Sequence, residues 1–165
     1  MSVAVACVAG VRAALEAVRD PEIPILTIAD LGILREVRVE DGRVHVVITP
    51  TYSGCPAMHA IEGDVRATLA AAGYADVVVE TRLAPAWTTD WLTPAARRKL
   101  LEVGIAPPVE ASSDKNVLRL HGAAVACPRC RSSDTELVSE FGSTACKALY
   151  RCRACLEPFD YFKCL

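Results

Sequence analysis

Cys127, Cys130, Cys152 and Cys155 form two Cys-x-x-Cys pairs with 21 residues between them. Thiolates in such pairs are soft ligands that point at one tetrahedral ion, and the intervening length suits a β-hairpin that returns the second pair to the first. The spacing predicts a zinc ribbon, a small domain in which metal-binding free energy acts as folding free energy. An iron-sulfur cluster can use the same four thiolates, and colour separates the two because zinc protein is colourless. Cys146 and Cys164 lie in the same region but in neither pair, and read as small apolar side chains of a strand and of the tail. Disulfides would need an oxidising compartment. The chain starts without a charged segment, apolar core and small-residue cleavage site, so thiols in a reducing cytoplasm are expected.

A second place for chemistry is Thr49-Pro50-Thr51-Tyr52-Ser53-Gly54-Cys55-Pro56. Proline belongs at the first position of a helix, which sets Cys55 at a helix entrance beside unpaired N–H groups and the positive end of the macrodipole. That position predicts a stabilised thiolate, reactive or metal-binding. His59 follows four residues on, hence on nearly the same helix face, as a charge neighbour or second ligand. An inert thiol and a solvated histidine fit the same residues.

The elements that must position these groups follow from periodicity. Val8, Val11, Leu15 and Val18 lie at helical spacing, and Asp20-Pro21 stops the helix, because a residue before proline avoids helical dihedrals. Residues 34–39 and 44–49 alternate apolar and polar on either side of Asp41-Gly42, a pair that favours a tight hairpin turn. Residues 56–72 carry Met58, Ile61, Val65, Leu69 and Ala72 on one stripe, with Gly73 as the stop. Residues 76–83 read as a third strand, and residues 95–103 as a helix ended by Gly104. The order gives an α+β fold: a small three-stranded sheet with two or three helices, followed by the C-terminal zinc ribbon. Trp87 and Trp91 read either as a docking ridge or as internal packing.

Composition narrows the function classes. The chain has 165 residues and a net charge of −2, room for one domain of about 100 residues and a metal-dependent appendix. Six of its eight cysteines lie beyond residue 120, so the two parts do different chemistry. The apolar run from Val3 to Val11 falls short of the roughly 20 residues that span a bilayer, so no membrane partner is expected. From residue 121 onward six basic residues face five acids, too slight an excess for a phosphate-binding surface, which argues against nucleic acid as a partner. Phe159, Tyr161 and Phe162 suit a protein interface or strand packing. There is no Gly-rich phosphate loop, no Glu-x-x-His di-iron pair and no resolving cysteine beside Cys55, so catalysis by this chain alone is not expected.

Asp20-Pro21-Glu22-Ile23-Pro24, Ile28-Ala29-Asp30-Leu31-Gly32 and the 49–56 octapeptide resemble the signature of the iron-sulfur assembly domain family that includes SufT, over residues 8–83. With residues 141–147 (Phe-Gly-Ser-Thr-Ala-Cys-Lys), residues 157–163 (Glu-Pro-Phe-Asp-Tyr-Phe-Lys) and the four ribbon cysteines added, the whole chain resembles the PaaD family of phenylacetate degradation. The cysteine distribution and the Pro107-Pro108 stretch divide the chain into domains at 1–105 and 121–165 joined by a linker at 106–120, the first the iron-sulfur assembly domain and the second the ribbon. The resemblance implies an accessory subunit of the bacterial ring-1,2-phenylacetyl-CoA epoxidase system, a multicomponent di-iron oxygenase with a flavin and iron-sulfur reductase, acting in cofactor maturation rather than epoxidation. Cys55 would then be the reactive or metal-handling thiol with the Asp20 and Glu22 carboxylates near it, and iron or an iron-sulfur cluster its transient guest. The implied partners are epoxidase components, including the iron-sulfur reductase, and a second copy in a homodimer. A soft thiolate with hard carboxylates nearby can hold iron without a closed shell that would trap it. Asp20-Pro21-Glu22 reads equally as a helix stop and turn. The alternative is a zinc-ribbon adaptor that binds protein or nucleic acid and transfers no metal.

Overall fold

The computed structural model describes residues 7–109 and 124–163. Helix α1 (Val8–Leu15) is capped by the Cys7 sulfur, which accepts the Gly10 N–H at 3.3 Å, and buries Val11 and Leu15. It ends one turn earlier than the Val8-to-Val18 periodicity predicts. The Val18 carbonyl accepts the Ile28 N–H at 3.1 Å and the Leu26 carbonyl accepts the Asp20 N–H at 3.0 Å, so this segment pairs with the following loop instead of continuing the helical ladder. Val18 is buried all the same, at 2% exposure, which is why it matched the apolar stripe.

Strands β1 (Leu34–Glu40) and β2 (Arg43–Ile48) pair antiparallel as the hairpin the sequence predicts. Asp41 and Gly42 hold φ of 49° and 82°, the doubly left-handed turn whose twist matches paired strands. Helix α2 (Ala57–Ala71) crosses to β3 (Val77–Thr81), which lies parallel to β2, giving the sheet order β1-β2-β3. The buried stripe of α2 is Ala57, Ile61, Val65 and Leu69. Met58 is only half-buried and Ala72 is exposed at the C-cap, because the row at four-residue spacing, not the mixed row the sequence suggests, faces the sheet. The opposite sheet face is laced with ion pairs from Glu36 to Arg38 and Arg82 and from Glu80 to Arg82, a solvated surface of slight stabilising value.

Trp87 is internal, at 4% exposure, and its indole N–H donates to the Leu31 carbonyl at 2.8 Å. Trp91 closes a single 3₁₀ turn (Thr89–Trp91), half-buried beneath the Arg35 guanidinium, 3.4 Å from the ring centre. A ridge formed by both tryptophans is therefore ruled out for Trp87. Trp87→Phe leaves the buried Leu31 carbonyl without its donor, and is expected to cost about 1–3 kcal/mol in a urea titration.

The chain parts into two compact units between Thr93 and Pro94, whereas the sequence places the boundary after residue 105. Helix α3 (Pro94–Glu102) leads through Gly104 into the two-residue strand β4 (Ile105–Ala106), which pairs parallel with β7 (Pro158–Phe162). The Arg97 guanidinium also donates to the Pro108 carbonyl at 2.6 Å. With β5 (Thr135–Ser139) and β6 (Lys147–Cys152), these strands form a second sheet in the order β4-β7-β6-β5. The ribbon is thus wider than the hairpin its spacing requires. Residues 110–120 of the expected linker lie outside the described residues, as does Cys164.

Candidate functional site

The four ribbon cysteines converge. Their sulfurs all lie within 4.8 Å of one another, with Cys127 and Cys155 at 3.7 Å and Cys130 and Cys152 at 3.5 Å. Two matched knuckles place them: the Cys127 N–H donates to the Ser132 carbonyl and the Cys152 N–H to the Glu157 carbonyl, each at 2.9 Å. A disulfide requires sulfurs about 2.05 Å apart, so these are free thiols. A tetrahedron of sulfurs around zinc at about 2.3 Å has edges of about 3.8 Å, and the observed separations fit it. Zinc here would be redox-silent and would tie the knuckles together.

The thiols are unequal before they meet an ion. The Cys155 amide, against the opposing effect of burial and helped by the Cys130 thiol, brings Cys152 down to about 7. At Cys155 the Glu157 amide pulls the other way, but burial and the surrounding sulfurs push the thiol up to about 12. One thiolate can therefore form readily, and the last would release its proton to water as an ion binds its sulfur. Behind the site lies a small core of Val125, Ala148, Phe159 and Tyr161, with Tyr150 stacked on Phe159 at 5.9 Å and edge-on to Tyr161 at 5.5 Å. Phe159, Tyr161 and Phe162 are 5%, 8% and 1% exposed, so they pack the strands and offer no interface. Cys146 is buried 3.1 Å from the Thr144 hydroxyl and outside the sulfur group, as an apolar filler would be.

Cys55 stands one residue outside the cap of α2: Pro56 takes the cap position rather than the first helical position that the sequence predicts, and the helix begins at Ala57. Its sulfur is half-buried rather than sealed. The proton balance differs from the expected thiolate. Burial raises the thiol's pKa; the Ala57 N–H pulls it down, the Glu22 and Asp20 charges push it up, and the Thr51 hydroxyl pulls it down, for a net rise. The helix entrance is outweighed because the sulfur is partly removed from water and faces two carboxylates. Asp20 is itself buried, its Oδ1 accepting the Glu22 and Ile23 N–H groups at 2.8 Å each, which is the turn that brings Glu22 round. His59 is exposed on α2 and is not among the groups that act on Cys55. Among the described residues, no group of three ligands gathers around Cys55; the ribbon cysteines form the one such group. Thr51, which sequence reasoning did not single out, sits four residues before Cys55 and bonds its sulfur.

This arrangement predicts slow alkylation. Cys55 is expected to react with iodoacetamide more slowly at neutral pH than an exposed thiol, because less of it is thiolate. Glu22→Gln removes one of the raising charges, so the rate profile shifts to lower pH and the neutral-pH rate rises; Thr51→Val shifts it the other way. Mass-spectrometric labelling at a series of pH values reads both.

Two family models match the chain: an iron-sulfur cluster assembly protein over residues 9–81 and a PaaD zinc beta ribbon domain over residues 111–163. A subunit of the "Putative 1,2-phenylacetyl-CoA epoxidase" of Escherichia coli (strain K12) is 53% identical over 93% of this chain and 90% of its own length. An Fe-S protein maturation auxiliary factor of Porphyromonas gingivalis is 37% identical over 54% of this chain and 84% of its own. The crystal structure of a domain of unknown function, DUF59, from Bacillus anthracis matches 56% of this chain and 90% of its own, with a TM-score of 0.53 at 27% identity. Two separate units, one shared with maturation factors and one holding four convergent thiols, thus recur together along nearly the whole of a relative, and the chain belongs to the PaaD family of phenylacetyl-CoA epoxidase subunits.

Proposed function

We propose that this chain is a non-catalytic accessory subunit that assists assembly of the iron or iron-sulfur cofactor of the phenylacetyl-CoA epoxidase or of its iron-sulfur reductase. The observation that carries the reading is the half-buried Cys55 sulfur, bonded by the Ala57 amide and the Thr51 hydroxyl, with Asp20 and Glu22 acting on it. The carboxylates that disfavour a bare thiolate favour a cation. An arriving Fe²⁺ would be stabilised by their charge, the thiol proton would leave to water or a carboxylate as the S–H bond breaks, and the freed sulfur electron pair would bind the iron with no change of oxidation state. A borderline metal held by one thiolate and oxygen donors keeps positions open, and through these a recipient's ligands can displace it. Zinc on Cys127, Cys130, Cys152 and Cys155 serves as scaffold. The seven described cysteines are all free, and no helix among the described residues is long and apolar enough to cross a membrane; we place the chain in the reducing cytoplasm.

The test is Cys55→Ala, co-expressed with the epoxidase components. The variant is expected to fold and to keep its ribbon metal, while iron per epoxidase or reductase subunit and the epoxidation rate fall severalfold. Unchanged iron loading of both partners would refute transfer through Cys55.

A further inference from the structure

The end of α3, the start of β4 and the two cysteine knuckles enclose a groove of about 490 Å³, a volume that takes a small ligand or a few side chains of a partner. Leu101, Val103 and Ile105 line it from the helix and strand, Pro128 and Pro158 from the ribbon. Val103 is 48% exposed although large and apolar. Gly104 lies in the same lining, and nothing stands within 4 Å of the place its β-carbon would take. Three acids, Glu102, Glu157 and Asp160, complete the lining with one cation, Arg129. Two of these acids are matched inside the chain: Glu157 pairs with Arg129, and Asp160 lies 3.5 Å from the Lys147 ammonium. Glu102 pairs with no cation among the described residues. It is also the last residue of α3, where the negative end of the macrodipole disfavours an acid.

An unpaired acid at the disfavoured end of a helix, beside an exposed apolar wall, is relieved when a cation reaches it from outside. We propose that this groove docks a basic segment of an epoxidase component, an arginine or lysine flanked by apolar side chains, with Glu102 receiving the charge and Val103 the apolar flank; that choice of partner rests on the function proposed above. Charge complementarity selects the occupant. With the two internal pairs neutral, Glu102 leaves the lining net negative. The thiolates of a filled ribbon site outweigh the two positive charges of zinc, and Cys127 and Cys130 flank Pro128 and Arg129, so the metal site adds to the same sign. An acidic segment or a nucleic acid would be repelled. A bare metal ion is unsuited, because the ribbon cysteines form the one group of three or more ligands among the described residues.

The experiment uses the full zinc-loaded chain and each purified epoxidase component, with binding followed by calorimetry at low and high salt. Glu102→Gln keeps the shape and removes the charge. It should weaken binding of one component about tenfold and flatten the salt dependence, with zinc content unchanged and the thermal midpoint equal or higher, because the helix end loses an opposing charge. Val103→Ser should weaken binding severalfold at both salt concentrations. Glu16→Gln, the same charge change on an exposed acid of the N-terminal unit, should bind like the unmodified chain, and so should Cys55→Ala. Glu102→Gln or Val103→Ser that binds as tightly as the unmodified chain overturns the groove and leaves the proposed function standing. A lower midpoint or loss of zinc in Glu102→Gln does the same by making the acid structural, and an equal loss of binding in Glu16→Gln does so by reducing the effect to net charge. Self-association that sedimentation detects and Glu102→Gln abolishes would make a second copy the occupant, which also overturns the proposal. If the unmodified chain binds no component, both the groove and the partner assignment fall, and the iron loading seen with Cys55→Ala judges the rest.

Discussion

Cys152→Ser will unfold the C-terminal unit and leave the N-terminal sheet folded, and a strong chelator applied to the unmodified chain will do the same. Cys152 is fully buried at the end of β6, with Cys130 sulfur 3.5 Å away and the Cys155 N–H directed at it from 3.5 Å. Among the described residues, the cluster directly behind it has seven buried members, two of which are ligand cysteines. A core that small supplies little stability of its own. Zinc in a four-thiolate site contributes roughly 10–16 kcal/mol of apparent binding free energy that is also folding free energy, against a net stability of about 5–15 kcal/mol for an ordinary domain. Removing the ion therefore removes more than the ribbon can spare. Circular dichroism with zinc released to a chromogenic chelator should show one transition that follows the metal and one that does not. Since Cys155 without an ion keeps its proton up to about 12, loading must displace that proton and retention weakens as pH falls. A ribbon that stays folded and cooperative after complete zinc loss would show that the site is not its scaffold.

What could be read in the sequence was what short-range chemistry decides. Asp41-Gly42 specified its own turn because few residues accept two successive positive φ values, and the cysteine pairs specified their convergence because two-residue spacers leave the thiolates little else to do. The 15 residues of α2 were legible for the same reason, a long stripe with a glycine stop. Strand β4 was not. Two residues carry no period, and Ile105–Ala106 becomes a strand only because Asp160 and Tyr161, far along the chain, offer it an edge. The end of α1 was decided by Ile28 and Leu26 taking over the backbone partners of Val18 and Asp20. The protonation of Cys55 was out of reach on similar grounds. Local sequence shows the helix entrance, which lowers a thiol's pKa, while the burial and the Asp20 and Glu22 charges that win come from a segment more than 30 residues earlier.

Gly32→Ala should be the most damaging single methyl in the N-terminal unit, at about 2–5 kcal/mol. Gly32 has φ of +68°, and a β-carbon built there would stand 2.6 Å from both the Trp91 Cβ and the Trp91 carbonyl oxygen. Left-handed backbone alone costs an alanine about 1–2 kcal/mol, and the contact is with backbone, which cannot rotate away. The control is Gly63→Ala in the middle of α2, where nothing lies within 4 Å of the new methyl and the variant should gain about 0.5–1 kcal/mol. Urea midpoints read both signs in one experiment. The clash has a functional reach, because Trp91 cannot simply retreat. The 87–93 segment is fastened to the loop around Gly32 by the Trp87 indole on the Leu31 carbonyl, the Thr93 N–H on the Asp30 carbonyl at 3.0 Å and the Thr93 hydroxyl on the Asp30 carboxylate at 3.3 Å. That loop is bonded in turn to Val18 through Ile28 and to Asp20 through Leu26. A push at Gly32 is therefore carried to the turn that holds Asp20 and Glu22 against Cys55, and Gly32→Ala should change the pH profile of Cys55 alkylation even in the fraction that remains folded. An unchanged profile in that fraction would mean that the loop flexes locally and that the thiol site is held by the α2 entrance alone.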